Sequence, residues 1–465
     1  MRNVVVLCYD SVRKDFYDVY APRVRELSDV SLNQCRAASS WTVPSHGSMF
    51  TGTLPHEHGV HTHDRDYSSI PVEETLFSAM PDHERIGVSS NVFASEAFQF
   101  DHLFDEFETV TEARRFPQGI DPTDYISPDD GGLVRNQLRL LADAVGHDRP
   151  LRSAANASLT YADSLSRRLP VPRLFDGGTK PLLRAAREKV RGTDGPFFLF
   201  VNFMESHLPL EPTLGYDESL YSAPNTFSTG DRSVWELLGS AEEYPEYLRR
   251  RRGLYGASID YLDRHVSEFV ETVLDETALE TTVVVTADHG ENLGYPGDDG
   301  LVRHKSSLSE GLLHVPCDIV NPPAGARPPS GRFTSHLDFD RLLPALGRSE
   351  FPDVGRAAVP AELVGLSAGP NPGPEHDHWD RMIRAVLHGD EKDVKDSDGR
   401  TVRYELDPER PCWQGTPADI DSVSSRWSRF FAGDLCEYKQ RASSEQEATA
   451  VSASVERRLE ELGYQ

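Results

Sequence analysis

NVVVLCY, residues 3–9, is a short and mainly apolar run that is rich in β-branched residues and is followed by Asp10. A run of this kind, without alternating polar residues, is typical of a strand that is buried on both faces of a parallel sheet. Similar short apolar runs occur at residues 85–92, 196–203 and 281–287. Segments with helical periodicity, such as residues 250–274, lie between them. Strands that alternate with helices predict an α/β fold with a mostly parallel sheet.

The chain has 465 residues, which is more than one compact hydrophobic core usually serves. Residues 322–332 (PPAGARPPSGR) are rich in Pro and Gly. We expect a catalytic domain over residues 1–332 and a small α+β subdomain over residues 333–465 that packs on it. Residues 113–190 are rich in Arg, Asp and Pro and have a weaker pattern, which predicts a helical insertion at the edge of the sheet.

Acidic residues strongly outnumber basic ones. The 75 acidic and 48 basic residues give a net charge of −27, and only seven of the basic residues are Lys. Such a charge disfavours binding to nucleic acid or to an anionic membrane, and many carboxylates with few Lys indicate a halophilic protein in which salt screens the self-repulsion. No run of about 18 apolar residues predicts a membrane span. The start of the chain has no basic-then-apolar leader, so we expect a cytoplasmic protein, and the oligomeric state stays open.

Acidic residues stand where two of the predicted strands end. Asp10 follows the first strand, and Asp288 and His289 follow the strand at residues 281–287. Because ligands collect at the carboxyl ends of the strands in open α/β sheets, two carboxylates and an imidazole there predict a site for a divalent metal ion. Gly290 would let the backbone turn sharply after them. An Asp at a strand end also serves as a helix cap or turn former, so this alternative stays open.

The segment TVPSHGSMFTG, residues 42–52, poses a second question. Thr42 stands two positions before Pro44, which suits the first turn of a helix. The hydroxyl of Thr42, like those of Ser39 and Ser40, could cap that helix. Alternatively, Thr42 could be a nucleophile, because a helix N-terminus favours bound phosphate or sulfate. Spacing alone does not choose between the two.

The longer stretch TVPSHGSMFTGTLPHEHGV resembles the signature of the sulfatase family in the alkaline phosphatase superfamily. LCYDSVRKD resembles the family's first-strand metal ligand segment, and TADHGENLG resembles its second metal motif. HLDFDRLLPALG resembles a C-terminal piece of the family, so the likeness covers most of the chain except about residues 113–190. The resemblance implies an alkaline phosphatase-like three-layer sandwich with a central, mostly parallel sheet.

The resemblance also implies roles for further side chains. MESHLPLEP resembles the segment that carries a substrate-contacting His, here His207. RHKSSLSEGLLHVP places His304 and Lys305 near the leaving group or the bound anion. Asn91 stands where many relatives have a Lys, and a turn-forming role is its alternative. His46 takes the place of the Arg that follows Pro-Ser in the signature.

The departures from the family pattern bear on the chemistry. Sulfatases proper carry Cys or Ser at the position of Thr42 and oxidise it to formylglycine. The secondary alcohol of Thr cannot give that aldehyde, so direct attack by the Thr42 oxygen is the open route. Ser11 replaces the second Asp of an Asp-Asp pair in many sulfatases, and His289 replaces an Asn. This pattern of residues is closer to that of phosphonate or phosphate ester hydrolases of the same fold. An imidazole ligand favours Mn²⁺ or Zn²⁺, with Ca²⁺ as the alternative.

The resulting hypothesis is a metal-dependent hydrolase of sulfate or phosphate esters that are small molecules or glycans. One divalent cation is held by four side chains, those of Asp10, Thr42, Asp288 and His289. Thr42 attacks sulfur or phosphorus and forms a covalent intermediate. The remaining candidates divide into stabilisers of the anion (Lys305, His207 and Asn91), proton donors to the leaving oxygen (His304 or His207) and a further substrate contact (His46).

Three alternatives accompany this hypothesis. The first is a phosphodiesterase or phosphonate hydrolase of the same fold. The second is a transferase that moves a phospho-group to another alcohol instead of water. The third is a catalytically inactive glycan-binding protein, which the replaced Cys and Arg of the signature favour and the intact metal motif opposes.

Overall fold

The structure is a computed structural model. It describes residues 1–111, 114–116, 118–125, 133–166, 169–238, 240–304, 306–366, 376–444, 455–456 and 458–459. The strands in this part of the chain are β1 (Asn3–Tyr9), β2 (Val30–Ser31), β3 (Cys35–Arg36), β4 (Glu84–Ser89), β5 (Glu106–Thr109), β6 (Phe197–Phe203), β7 (Thr281–Ala287), β8 (Cys317–Val320), β9 (Thr334–Ser335), β10 (Ala358–Val364), β11 (Met382–His388), β12 (Glu391–Asp396), β13 (Thr401–Glu405) and β14 (Ala418–Asp419). The α-helices are α1 (Lys14–Tyr20), α2 (Pro22–Leu27), α3 (Thr42–Thr51), α4 (Pro55–His58), α5 (Leu133–Gly146), α6 (Pro150–Ser166), α7 (Thr179–Arg191), α8 (Val234–Leu237), α9 (Pro245–Glu276), α10 (Glu310–Leu313), α11 (Phe339–Gly347), α12 (His376–Trp379) and α13 (Leu435–Ser444).

The main sheet has the strand order β2-β8-β7-β1-β6-β4-β5. The pairs β1–β6, β1–β7, β4–β6 and β4–β5 are parallel, whereas β8 pairs antiparallel with β7 and β2. This confirms the predicted α/β fold with a mostly parallel sheet. The strand β1 lies in the middle of the sheet, between two strands that are distant from it in sequence. Such a strand order places a crevice beside the end of β1, where ligands bind in open α/β folds.

Every residue of β1, β6 and β7 is buried, so helices cover both faces of the sheet. One group of helices consists of α1, α2 and α7, which all contact the long helix α9. Another group consists of α3, α4 and α11, and α11 also contacts β1. Across the described residues, no helix combines the length and the apolar character that crossing a bilayer requires.

The register of the central strands fixes where the chain leaves the sheet. Tyr9 is paired with Phe203 of β6 and with Ala287 of β7. The backbone N–H of Asp10 donates to the carbonyl of Phe203 at 2.9 Å, and that of Asp288 donates to the carbonyl of Tyr9 at 3.2 Å. The residues after β1 and β7 therefore emerge at the same level of the same sheet edge.

Helix α3 is fixed by a cluster of aromatic side chains beneath it. Phe50 packs edge-to-face against Phe200 of β6 and against Phe100, with ring centroids 5.3 and 5.6 Å apart. Gly52 ends the helix in the left-handed region, at φ 71°, and a Cβ at this position would lie 2.5 Å from Cγ of Asp340. The helix therefore has a fixed position, and its first residue is Thr42.

The second sheet is antiparallel and has the order β10-β11-β12-β13-β14. Glu362 of β10 is fully buried and accepts from Arg384 Nε of β11 at 2.7 Å. The same carboxylate accepts from the backbone N–H of His56 in α4 at 2.7 Å. The backbone of Glu362 also bonds to the segment before α3, through the carbonyl of Ala38 and the hydroxyl of Ser39. The second sheet thus packs directly against the segment that leads to Thr42.

We expect Arg384→Ala to lower the free energy of unfolding by about 3–5 kcal/mol, because it removes the guanidinium that is ion-paired with the buried carboxylate of Glu362. Chemical denaturation measures the effect. Arg348→Ala removes an exposed ion pair to Glu350 and should change stability by no more than about 0.5 kcal/mol. Equal effects of the two substitutions would contradict a stabilising role of the buried pair.

Candidate functional site

The side chains that follow β1 and β7 meet in one cluster. Asp10, Asp288 and His289 each offer one ligand atom, and these atoms all lie within 4.8 Å of one another. Nε2 of His289 lies 3.9 Å from Oδ1 of Asp10 and 3.6 Å from Oδ2 of Asp288. All three residues are fully buried. The fold therefore brings together the three residues that the sequence predicted as metal ligands.

Two atoms of the cluster are buried without a hydrogen-bond partner. Nδ1 of His289 donates to the carbonyl of Gly290 at 2.7 Å, so Nε2 carries the lone pair in the neutral form of the ring, which is the form that binds a metal ion. Neither this Nε2 nor Oδ2 of Asp288 has a hydrogen bond among the described residues. Buried polar atoms are nearly always satisfied, and two carboxylates with one imidazole form a donor set for a divalent cation. The cluster fits a metal ion of this kind.

The electrostatics of the cluster agree with that fit. Burial raises the pKa of Asp288 to about 7, and the negative charge of Asp10 adds to the effect. Burial also acts to raise the pKa of Asp10, but the positive charges that His207 and His289 carry when protonated outweigh it and hold this pKa below its ordinary value. Two carboxylates this close do not both ionise readily without a positive partner.

The hydroxyl of Thr42 is directed into the cluster and does not cap its helix. The N-cap of α3 is Trp41, and no side-chain hydrogen bond caps the helix. Oγ1 of Thr42 donates to Oδ2 of Asp10 at 3.0 Å and accepts from Nδ2 of Asn91 at 3.2 Å. Of the other predicted caps, Ser39 donates instead to the carbonyl of Glu362. The helix-cap interpretation of Thr42 is therefore wrong.

Asn91 forms the predicted turn and also contacts the cluster, whereas its expected contact to a substrate oxygen stays a prediction. Its Oδ1 accepts from the backbone N–H of Phe93 at 2.8 Å, which is a turn-forming contact. Its Nδ2 donates to Oδ2 of Asp10 at 2.5 Å as well as to Thr42. The turn fixes the amide so that its donor faces the cluster.

His207 and His304 lie beside the cluster. The ring centroid of His304 is 4.9 Å from that of His289 and 5.5 Å from that of His207. Nδ1 of His207 donates to the carbonyl of Leu208 at 2.6 Å, and burial lowers the pKa of His207, so the ring is neutral and Nε2 is an acceptor. Nδ1 of His304 lies 3.0 Å from Oε2 of Glu291, so proton transfer by His304 would use Nε2.

His46 and Lys305 are the two remaining residues that the sequence predicted for the site. His46 is fully buried, with its ring centroid 5.4 Å from both Phe100 and Phe200, and its Nε2 lies 3.8 Å from Oδ2 of Asp288. Burial lowers the pKa of His46 to about 3, so the ring is neutral. His46 therefore packs beside the cluster, and its expected role as a substrate contact stays a prediction. Lys305 lies outside the described residues.

Sequence reasoning missed two residues that organise the site. Ser11 has φ 60°, an unusual conformation for a non-glycine residue, and its hydroxyl donates to Oδ1 of Asp10 at 2.6 Å. Glu291 accepts from His304 and is ion-paired with Arg251 inside the protein. Both stand within the quoted motifs, but neither motif shows which side chain faces inward.

The role of Gly290 also differs from the expectation. Gly290 is not among the residues with positive φ, so it does not supply a left-handed turn. Instead, a Cβ at this position would lie 2.1 Å from the carbonyl oxygen of Gly311. Glycine is required there because another backbone segment approaches closely.

The comparison with protein families agrees with this site. Residues 2–343 match the model of the sulfatase family. The chain belongs to the sulfatase family. Among curated relatives of this sulfatase-family protein, the arylsulfatase of Clostridium perfringens is 24% identical over 221 residues, which is 44% of this chain and 43% of the relative. The matched segments span less than half the length of the curated relatives.

Solved structures show the fold of this sulfatase-family protein. The phosphonate monoester hydrolase of Agrobacterium radiobacter matches with a TM-score of 0.60 and 16% identity, over 87% of this chain and 89% of that one. The phosphonate monoester hydrolase of Silicibacter pomeroyi matches over the same shares, with a TM-score of 0.57 and 17% identity. The protein therefore has the alkaline phosphatase-like fold that the sequence motifs predicted.

We expect Mn²⁺ or Zn²⁺ to raise the melting temperature of the purified protein, because a cation bound only to the folded state stabilises it by about 2.7 kcal/mol at a hundredfold excess over its Kd. Asp288→Asn removes one carboxylate of the cluster and should abolish most of this shift. Thermal scans with each metal and with EDTA measure it. Asp82→Asn, an exposed carboxylate elsewhere, is the matched control. A shift that survives in Asp288→Asn would contradict the assigned site.

Proposed function

We propose that the protein hydrolyses sulfate or phosphate esters with a divalent cation and with Thr42 as the nucleophile. Membership of the sulfatase family supports an ester hydrolase. The observation that carries the proposal is the hydrogen bond of 3.0 Å from Thr42 Oγ1 to Asp10, a carboxylate that also belongs to the ligand cluster. A reactive hydroxyl and a cation-binding set of side chains are thus adjacent.

The cation would be held by Asp10, Asp288 and His289, with Thr42 next to them. Bound there, it would polarise the oxygens of the ester and stabilise the negative charge that develops on them. An imidazole in the set favours Mn²⁺ or Zn²⁺, with Ca²⁺ as the alternative. Oδ2 of Asp288 and Nε2 of His289, which are buried without a hydrogen bond, support an occupied site in the working enzyme.

The environment of Thr42 suits direct attack. Asp10 accepts the hydrogen bond from Oγ1 and so draws the proton away from the nucleophile, while the amide of Asn91 donates to the same oxygen and fixes its position. The oxygen of Thr42 forms a bond to sulfur or phosphorus, and the bond to the leaving oxygen breaks. Water then cleaves the ester on Thr42, which releases the inorganic anion and restores the hydroxyl.

The leaving oxygen needs a proton, and we assign its delivery to His304. Its Nδ1 is engaged with Glu291, so the ring is oriented and Nε2 is the nitrogen that would donate. His207 is neutral with Nε2 as an acceptor, which suits a contact to a substrate hydroxyl better than proton donation. Lys305 remains a proposed contact to the anion because it directly follows His304 in the chain.

Phosphonate monoesters are the second candidate substrates. The pairing of Asp288 with His289, in place of the Asp-Asn of many sulfatases, favours them. Transfer to another alcohol would use the same intermediate on Thr42 with a different acceptor. A side-by-side assay of aryl sulfates, phosphate monoesters, phosphate diesters and phosphonate monoesters, in high salt with each metal, separates these substrate classes.

Thr42→Ala should reduce turnover on the order of a thousandfold or more, because it removes the attacking oxygen. Thr42→Ser is the matched control, since it keeps the hydroxyl, and it should retain a much larger share of the activity. Steady-state kinetics on the best ester measure the turnover of both variants. Mass spectrometry of the quenched enzyme detects a modified peptide that contains Thr42. Full activity of Thr42→Ala would remove Thr42 from the mechanism.

His304→Gln should slow an alkyl ester about a hundredfold or more, because a general acid contributes this much when the leaving group is poor. The same substitution should lower kcat far less with a nitrophenyl ester, whose leaving oxygen needs no proton. The ratio of kcat for the two substrates is the measurement. An equal loss on both would assign His304 to binding or structure.

A further inference from the structure

A pocket lies between the second sheet and the loop that carries His304. One wall is the face of β11, β12 and β13 on which Val394 is paired with Val402, and the other wall comes from residues between 299 and 309. The pocket holds about 450 Å³ of empty space, including the part that is open to solvent. This volume is in the usual range for small-molecule sites. We name it the second-sheet pocket.

Two side chains of the lining have hydrogen-bond donors without a partner among the described residues. Gln414 is only 3% exposed, and its Oε1 accepts from Nζ of Lys392 at 2.5 Å and from the backbone N–H of Glu310 at 3.1 Å. These two contacts fix the amide, and its nitrogen has no hydrogen bond of its own. The guanidinium of Arg400 lines the same pocket and also has no side-chain partner.

The acidic side chains of the lining are already engaged. Oδ2 of Asp299 accepts from the hydroxyl of Tyr404 at 2.9 Å. Asp396 accepts from the backbone N–H of Arg400 at 2.9 Å, and its other oxygen lies 3.5 Å from Nε of Arg381. The charge of Arg381 is thus balanced, whereas the charge of Arg400 is not. The donors that remain, on Arg400 and Gln414, fit a ligand group that accepts hydrogen bonds.

The second-sheet pocket adjoins the loop of the proposed proton donor. Arg303 and Ser306 stand on either side of His304 and have φ values of 64° and 50°, which are unusual for residues other than glycine. Nη2 of Arg381 donates to the carbonyl of Ser306 at 3.3 Å, and the hydroxyl of Ser306 donates to the carbonyl of Trp379. The second sheet therefore holds one end of this loop through a side chain that also lines the pocket.

We propose that the second-sheet pocket binds an organic anion, with its acidic group on Arg400 and Gln414. A guanidinium and an amide nitrogen together suit a carboxylate or a phosphate, because charge-assisted hydrogen bonds are the stronger ones. An inorganic ion would leave the apolar part of the wall uncovered, which consists of Leu308, Ile383, Val394 and Val402. The anion is either the acidic group on the leaving part of the substrate or a free organic acid.

Isothermal titration calorimetry of the full chain with benzoate tests the binding, and it requires no turnover. EDTA is present so that benzoate does not bind through a cation. Wild type should bind benzoate about tenfold or more tightly than benzyl alcohol, the neutral counterpart. Arg400→Gln and Gln414→Glu should each weaken benzoate about tenfold or more. Gln414→Glu keeps an acceptor for Lys392, so folding should persist, and the melting temperature checks it.

Arg426→Gln is the matched control, because Arg426 is exposed on the same part of the chain and does not line the pocket. The proposal is overturned if wild type binds benzoate no more tightly than benzyl alcohol. It is also overturned if Arg400→Gln and Gln414→Glu bind benzoate as well as Arg426→Gln does.

Kinetics distinguish the two sources of the anion, and this part rests on the proposed function, whereas the calorimetry does not. If the acidic group belongs to the substrate, Arg400→Gln should lower about tenfold or more the ratio of kcat/KM for a 4-carboxyphenyl ester to that for the phenyl ester. If the anion is a free acid, benzoate should change kcat for the phenyl ester in wild type more than in Arg400→Gln. Binding of benzoate with neither effect would contradict the link to His304.

Discussion

Asp10 and Asp288 lie close together inside the protein, and their carboxylates repel each other when both are ionised. The other polar groups of the site offset that repulsion. The register of β1 against β7 places Asp10 and Asp288 side by side, although 278 positions of numbering separate them. Donors then surround Asp10: the hydroxyl of Ser11, the hydroxyl of Thr42 and the amide of Asn91. The charges of nearby imidazoles and the hydroxyl of Ser11 lower the pKa of Asp10, whereas burial and the charge of Asp10 raise the pKa of Asp288. A cation between the two carboxylates would remove this difference between their pKa values, and that is the physical basis for a metal site here.

The second sheet contributes to the same arrangement from outside the main one. The buried carboxylate of Glu362 joins β10, β11 and α4, and the backbone of Glu362 bonds to Ala38 and Ser39. These residues lead directly into α3, whose first residue is Thr42. A change in the second sheet would therefore reach the proposed nucleophile through covalent structure and a few buried hydrogen bonds. The site depends on both sheets, although its ligands come from one.

The sequence predicted the sheet well because buried parallel strands have a strong and local pattern. The bounds of β1 and β7 agree with the predicted runs to the residue, and their carboxyl ends gave Asp10, Asp288 and His289. The orientation of Thr42 could not be predicted, because a cap and a nucleophile occupy the same position in sequence. The burial of His46 depends on aromatic rings from two distant segments, and no local pattern shows that. The role of Glu291 follows from the approach of His304, which is likewise a tertiary contact.

Threonine at the nucleophile position has a consequence for how the site is assembled. Formylglycine must be made by another enzyme after synthesis, whereas a hydroxyl is present as soon as the chain folds. The β-branched side chain of Thr has few rotamers in a helix, so little conformational freedom is lost when Oγ1 is directed at Asp10. Its two hydrogen bonds, to Asp10 and from Asn91, then fix the oxygen next to the ligand cluster. In the proposed mechanism Thr42 lacks the second hydroxyl of a hydrated aldehyde, so release of the anion would come from attack by water on the proposed ester at Thr42. That step requires space for water at the cluster, and His207 and His304, which lie beside the cluster, keep a small residual exposure that the fully buried ligands lack.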